Sequence, residues 1–391
     1  MYTTHWDYSS FILYLIQAFI GMYCLSNITK RYKYLNIIQL LKTPYVLLML
    51  ISWTFFATFR MVCLGIGGSD AITYIAIFSK SWSLFDDIIE LVESDVAFLW
   101  LNRAIRYFTS NYHYYFAIVY GFMTFSIILF ARRFCYKFYS FIPLLLAFYL
   151  FLRGYNTLRS NLAISFILLG LLNVVDNKYK WAYLYMICSA LTHKAGVLFA
   201  LTIPFVHVAK VREIKTKYLV MLSAIVFLLG TSIRDYFIAF ASSNDLGGAY
   251  KSYASEAKET GSLLSGIVEC FMQYLLAIIV LFSTRRIKTS ISSYGEHVAN
   301  TVNVLLYICY FDMMLIPLNA MLGIWRGYEF LYIPRLCMWG IILWEYLRKT
   351  NITVRAFIKL LVLLYFIFWF TFRLYRTYEA SDLMPYVLDF L

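Results

Sequence analysis

The chain has 391 residues, 62% of them hydrophobic and only 14% charged, with a formal net charge of +13. Soluble globular chains stay near half apolar and a quarter charged, so this composition excludes a water-soluble domain and points to a membrane protein. The basic residues sit in scattered short connectors and form no single patch interleaved with aromatics, which excludes nucleic acid as a partner.

A membrane-crossing helix needs about 20 apolar residues. In chain order, apolar runs occupy residues 9–27, 44–64, 112–131, 136–152 and 160–175, then 218–233, 263–283, 298–322, 328–347 and 356–372. The stretch 181–209 is apolar as well, but Thr192, His193 and Lys194 interrupt it. That pattern predicts two short spans meeting at a polar turn. The expectation is an all-α, polytopic membrane helix bundle of about 12 transmembrane elements, forming a single integral membrane domain over residues 1–391.

Orientation follows from where the basic connectors fall. Lys30–Lys42, Arg132–Lys137, Lys178–Lys180, Lys210–Lys217, Arg285–Lys288 and Arg348–Lys359 occupy alternate connections, and so share the cytoplasmic side. Both termini are then expected outside. The first ten residues carry no Lys or Arg, which predicts a retained first span in place of a cleaved signal. Seven cysteines, odd in number and without a CxxC spacing, predict neither a disulfide framework nor a zinc site.

Two outer loops, about 60–111 and 234–262, are longer than a connector needs to be. In the first, Gly65, Gly67 and Gly68 permit tight turns before Asp70 and Tyr74, which share a face if a helix starts there with Ser69 or Asp70 as its cap. Val96–Phe108 has apolar residues at helical spacing, broken by Asn102, Arg103 and Arg106. It reads as an amphipathic helix lying on the outer membrane surface. Glu93-Ser94-Asp95 is an acid-x-acid triplet, a weak signal for a divalent metal.

Arg60, Arg153, Arg159, Arg326 and Arg335 stand near the outer ends of spans, against the charge bias of that side. Charge at the bilayer edge tends to face a cavity or a partner, and a guanidinium matches phosphate oxygens with paired hydrogen bonds. Singly, each arginine is equally well read as snorkelling or ion-paired; together they suit a lipid pyrophosphate. His193 lies in the polar turn, where an imidazole serves as a general base or as a structural hydrogen-bonding group. Asp312 and Glu269 lie inside spans, with no partner evident from sequence. No HxxH or HExxH occurs, so no histidine metal site is expected.

These residues give the chain a family likeness. Phe59-Arg60, Gly67-Gly68-Ser69-Asp70, Tyr74 and Phe78 form one block, and Glu93 with Phe98, Leu99 and Asn102 a second. Leu158-Arg159-Ser160-Asn161-Leu162-Ala163, Ala190-Leu191-Thr192-His193-Lys194-Ala195 and the late Arg326, Tyr328 and Phe330 complete the set. In this order the blocks resemble the Wzy-type polysaccharide polymerases, in particular the branch called the EpsG family. Ser160 stands where that pattern has glutamine, and the late block departs in spacing, so either Arg326 or Arg335 could be its arginine.

The resemblance implies a glycosyltransferase of the bacterial inner membrane with its active site facing the periplasm. Its substrate would be an undecaprenyl-pyrophosphate-linked oligosaccharide, met among membrane lipids. The growing glycan would pass from its lipid pyrophosphate to the non-reducing end of the next repeat. Arg159 and Arg326 (or Arg335) would hold the pyrophosphate, with Arg60 and Arg153 as secondary candidates. Asp70 or His193 would be the base, and Tyr74 would position sugar. No metal and no cofactor is required if arginines supply the positive charge. A chain-length regulator and a flippase are partners implied by the resemblance alone. The alternatives are a ligase-like or other membrane glycosyl- or acyltransferase, and then a lipid-linked-sugar flippase, against which the absence of two related halves speaks.

Overall fold

The computed structural model describes residues 5–391 apart from 33, 84–88, 90–94, 136–141, 195, 213, 216, 220, 223–224, 226–228, 230–270, 322–328 and 390–391. Arg326, Glu93, Glu269 and the whole 234–262 loop therefore lie outside the described residues. The described residues are almost entirely helical and contain no strand, only the isolated bridges Arg60–Leu388 and Cys63–Ile66. Five helices are long and apolar enough to cross a membrane, and Pro44–Thr58, Ala71–Lys80 and Ile142–Arg153 are shorter apolar segments. The chain is thus an all-helical, polytopic membrane protein. It divides into two compact units, residues 1–200 with 339–391, and residues 201–338.

In the first unit, α1 (Tyr8–Arg31) starts on Asp7, whose carboxylate accepts from the Ser10 amide, and ends on Lys30 and Arg31 at its negative dipole end. The short α2 (Ile37–Leu41) is closed by a reciprocal Asn36–Gln39 capping box. Pro44 occupies the first turn of α3 (Pro44–Thr58), where its missing N–H costs nothing. This helix stops well short of the expected 44–64, because Arg60 turns into the protein and positive-φ glycines follow. α4 (Ala71–Lys80) and α5 (Val96–Phe108) come next. α5 forms where the apolar spacing predicts a helix, but it buries Asn102 together with Phe98, Leu99 and Ile105 and exposes the aromatics Trp100, Tyr107 and Phe108. α6 (Tyr112–Phe134) is capped by Asn111 and ends on Arg132 and Arg133.

A 3-10 turn (Ile142–Leu146) runs into α7 (Ala147–Arg153), and after a sharp bend at residues 154–157 α8 (Leu158–Val175) begins. α9 (Tyr179–Thr192) breaks at extended His193 before the single turn α10 (Gly196–Ala200). The break falls at the polar Thr192-His193-Lys194 triplet. Here the His193 amide still donates to the Ser189 carbonyl, and the His193 carbonyl accepts from the Gly196 amide, so little backbone is left unsatisfied. The Ser189 hydroxyl donates to the Ala163 carbonyl at 3.0 Å, tying this break to α8.

The second unit holds α11 (Thr202–Arg212), α12 (Phe271–Ser292), α13 (Glu296–Met321) and the start of α14 (Tyr332–Leu347). α12 and α13 pack as a hairpin turning through Gly295 at φ +92°. α15 (Ile352–Ser381), in the first unit, packs along the 3-10 turn and α7. Beyond it the chain returns as a strap: the Gly68 amide donates to Asp382, the Met61 amide to Val387, the Asp389 amide to Phe59, and the Tyr386 amide to Ser10 Oγ. The strap therefore draws the start of α1, the end of α3 and the glycine loop to one end of this unit. The opposite end carries Lys30, Arg31, Arg132 and Arg133, the last paired with Asp176 at 2.8 Å.

Candidate functional site

The end of the first unit that carries the strap also carries the glycine loop, the bend before α8 and the break after α9. Gly65, Gly67 and Gly68 adopt φ of +84°, +85° and +110°. At Gly68 a side chain would press on the Tyr155 carbonyl, 2.8 Å from where its Cβ would sit, so only glycine fits that approach. The close contact brings Asn156 over the loop. Its Oδ1 accepts from the Asp70 amide at 3.5 Å, and its backbone carbonyl accepts from the Tyr74 hydroxyl at 3.2 Å. Asp70 occupies the N-cap position of α4, but its side chain makes no capping bond.

Arg60 lies beneath this loop and is buried. Its Nε donates to the Gly67 carbonyl at 2.8 Å, Nη1 donates to the Ala57 carbonyl, and Nη2 donates to the Tyr120 hydroxyl at 3.0 Å. Its guanidinium also lies 4.1 to 5.0 Å from the ring centroids of Tyr155, Phe116 and Tyr120. Arg153 is buried at the end of α7, where its carbonyl accepts from the Asn156 and Thr157 amides and the Thr157 hydroxyl. The sequence reading offers both arginines as secondary holders of the pyrophosphate; in the structure both are buried, at 1% and 2% exposure.

A charged cluster forms around Asp95, the residue before α5. Arg159, in the first turn of α8, donates from Nη1 to Asp95 Oδ2 at 2.5 Å. The Lys194 amide donates to Asp95 Oδ1 at 3.2 Å, and His193 Nδ1 stands 3.7 Å from Asp95 Oδ2. The Asp95 side chain is 3% exposed, while Arg159 and His193 keep 26% and 22%, so the carboxylate is the buried anchor and its partners reach outward. Burial pushes the Asp95 carboxyl up, but His193 and Arg159 outweigh it and hold the group below its ordinary value. Tyr74 lies within electrostatic reach of Arg159, joining α4 to the same cluster.

The structure therefore brings together Arg159, His193 and Tyr74, with Asp70 held on Asn156 beside them. Asp95 and Asn156, which organise the cluster, are not in the sequence-predicted set. Asp95 appeared there only as half of the acid triplet, whereas both its oxygens accept from protein donors in the structure.

In the second unit, Arg335 pairs with Asp312 at 2.9 Å, and Asp312 also accepts from Gln273 Nε2 at 3.0 Å. Asp312, without a partner from sequence, thus has two, all three residues being buried. No group of three His, Cys, Asp or Glu placed to hold a metal occurs among the described residues.

Compared with known proteins, the model of the EpsG family matches residues 43–388, nearly the whole chain and every part of the cluster above. No curated protein and no solved structure matches the chain.

Proposed function

The chain belongs to the EpsG family, and on that premise we propose that it polymerises undecaprenyl-pyrophosphate-linked oligosaccharide repeats at the outer face of the bacterial inner membrane. Family and apolar helices together make it a multi-pass, polysaccharide-polymerase-like membrane protein. The finer reading is carried by one observation: a part-exposed arginine, Arg159, anchored on a buried carboxylate beside His193.

In the proposed step, a hydroxyl at the non-reducing end of the incoming repeat attacks the anomeric carbon of the growing glycan. A glycosidic C–O bond forms as the anomeric C–O bond to the lipid pyrophosphate breaks. The electron pair leaves with the undecaprenyl pyrophosphate, and the hydroxyl proton passes to a base. Arg159 meets the developing charge on the leaving group, since a guanidinium supplies charge-assisted N–H donors already in place. His193 or Asp70 takes the proton. Tyr74 positions sugar from the α4 side. Arg60 and Arg153 serve the site by fixing the glycine loop and the bend before α8. A chain-length regulator and a flippase would act with the enzyme.

The test is a strain lacking the gene, complemented with wild type or Arg159→Ala at equal membrane levels. Glycan from the wild-type strain should run as a ladder of repeats, and Arg159→Ala should leave single repeats. A normal ladder with Arg159→Ala would remove the centre of the proposal.

A further inference from the structure

Asp95 occupies the N-cap position of α5, where an aspartate ordinarily accepts from the first amides of its own helix. It makes no such bond. Its carboxylate points instead to two other elements: Arg159 at the start of α8, and the His193–Lys194 turn after α9. The two bonds use different oxygens, Oδ2 for Arg159 and Oδ1 for the Lys194 amide, so neither partner displaces the other. A buried carboxylate that forgoes its local partner and ties two distant elements is costly unless the tie is needed.

We infer that Asp95 is a positioning residue, its carboxylate fixing Arg159 and the His193 turn relative to each other. The group that meets the departing pyrophosphate and the imidazole that takes the acceptor's proton are thus set by one anchor. This inference rests on the function proposed above. It also favours His193 over Asp70 as the base, because the Asp95 carboxylate stands 3.7 Å from His193 Nδ1 and its other oxygen holds the turn through the Lys194 amide. Among the described residues, Asp70 has its backbone amide on Asn156 and no ion pair on its carboxylate.

Positioning and simple structural support predict different results for Asp95→Asn. Removing the negative charge beside Arg159 removes a repulsion on any incoming phosphate, so an anionic probe should bind as well or better. Transfer should nevertheless slow, because Arg159 and His193 lose their common reference; misplacement on the ångström scale costs about 10- to 100-fold. The experiment uses the full chain in nanodiscs, with farnesyl pyrophosphate as the binding probe and the source strain's own lipid-linked repeats for transfer. Monodisperse extraction controls for folding.

The expected result is that Asp95→Asn keeps or gains probe affinity and loses about 10-fold or more in transfer rate. Arg159→Ala should lose both. Adding Asp95→Asn to His193→Asn should then cost much less than it costs in wild type, since the two act as a unit. This double variant carries the test by rate alone if Asp95→Asn binds the probe poorly through instability. Unchanged transfer in Asp95→Asn, or fully additive losses in the double variant, overturns the positioning role while leaving the polymerase reading intact. A wild-type chain that forms no ladder overturns the polymerase reading, and the positioning role falls with it.

Discussion

Arg60 and Asp95 are both buried charged residues, and they act differently. Arg60 donates to two carbonyls and a phenol inside an aromatic cage, so its fork holds the glycine loop in place. A single ammonium cannot serve acceptors spread that widely. Arg60→Lys should therefore cost roughly 3 kcal/mol of stability, the scale of losing charge-assisted hydrogen bonds at a buried site. Thermal unfolding in detergent would show it, and an unchanged midpoint would contradict the assignment. Asp95 has a lowered pKa, so its stabilising contribution is complete above the ordinary carboxylate value of 3.8 and is lost as pH falls through the lowered one. The stability gap between wild type and Asp95→Asn should be constant from about pH 8 to 5 and shrink only below about pH 4. A gap that closes near neutrality would show that the carboxylate is not held charged. Arg159 and His193 were legible in the sequence because each is a polar residue set against an apolar span. Asp95 and Asn156 were not. Their bonds to Arg159 and Asp70 cross 64 and 86 positions, and no local pattern encodes such pairs.

Among the elements, the helices whose ends are set locally match the sequence reading best. The amphipathic α5 and the break after α9 fall at the residues that predict them, the first from its apolar spacing and the second from Thr192 to Lys194. α3 is shorter than its apolar run, because what stops it is the Arg60 side chain turning toward tertiary partners. The strap of residues 382–389 had no sequence signal at all. It is held by backbone bonds to the glycine loop, to the end of α3 and to Ser10, with Tyr14 Oη donating to the Leu383 carbonyl at 2.6 Å and Tyr112 Oη donating to Asp389 at 3.0 Å. Ending the chain after Ser381 should leave α15 inserted but free the loop that carries Asp70 and Tyr74. The truncated chain is expected to reach the membrane at normal levels, to melt at a lower temperature and to make no polymer. Full-length polymer from the truncated chain would show that the strap does not support the site.

For the whole molecule, composition alone settles the class: apolar runs of this length have no place in a soluble protein. The alternation of basic connectors predicts both termini on the outer side. In the first unit the start of α1 and the strap after α15 meet at one end, and Lys30, Arg31, Arg132 and Arg133 gather at the other. Single cysteines introduced near Tyr8 and near Asp382 in a cysteine-free chain should therefore both label from outside intact cells, and one near Lys30 should not. Opposite labelling of the two ends would refute the topology. The most direct measurement is polymerisation by the purified chain in nanodiscs, supplied with authentic undecaprenyl-pyrophosphate-linked repeats, with and without EDTA, and resolved on a gel. The expected product is a ladder spaced by one repeat that survives EDTA and disappears in Arg159→Ala. A ladder that Arg159→Ala leaves intact, or folded wild-type protein that forms none, would contradict the proposed polymerase.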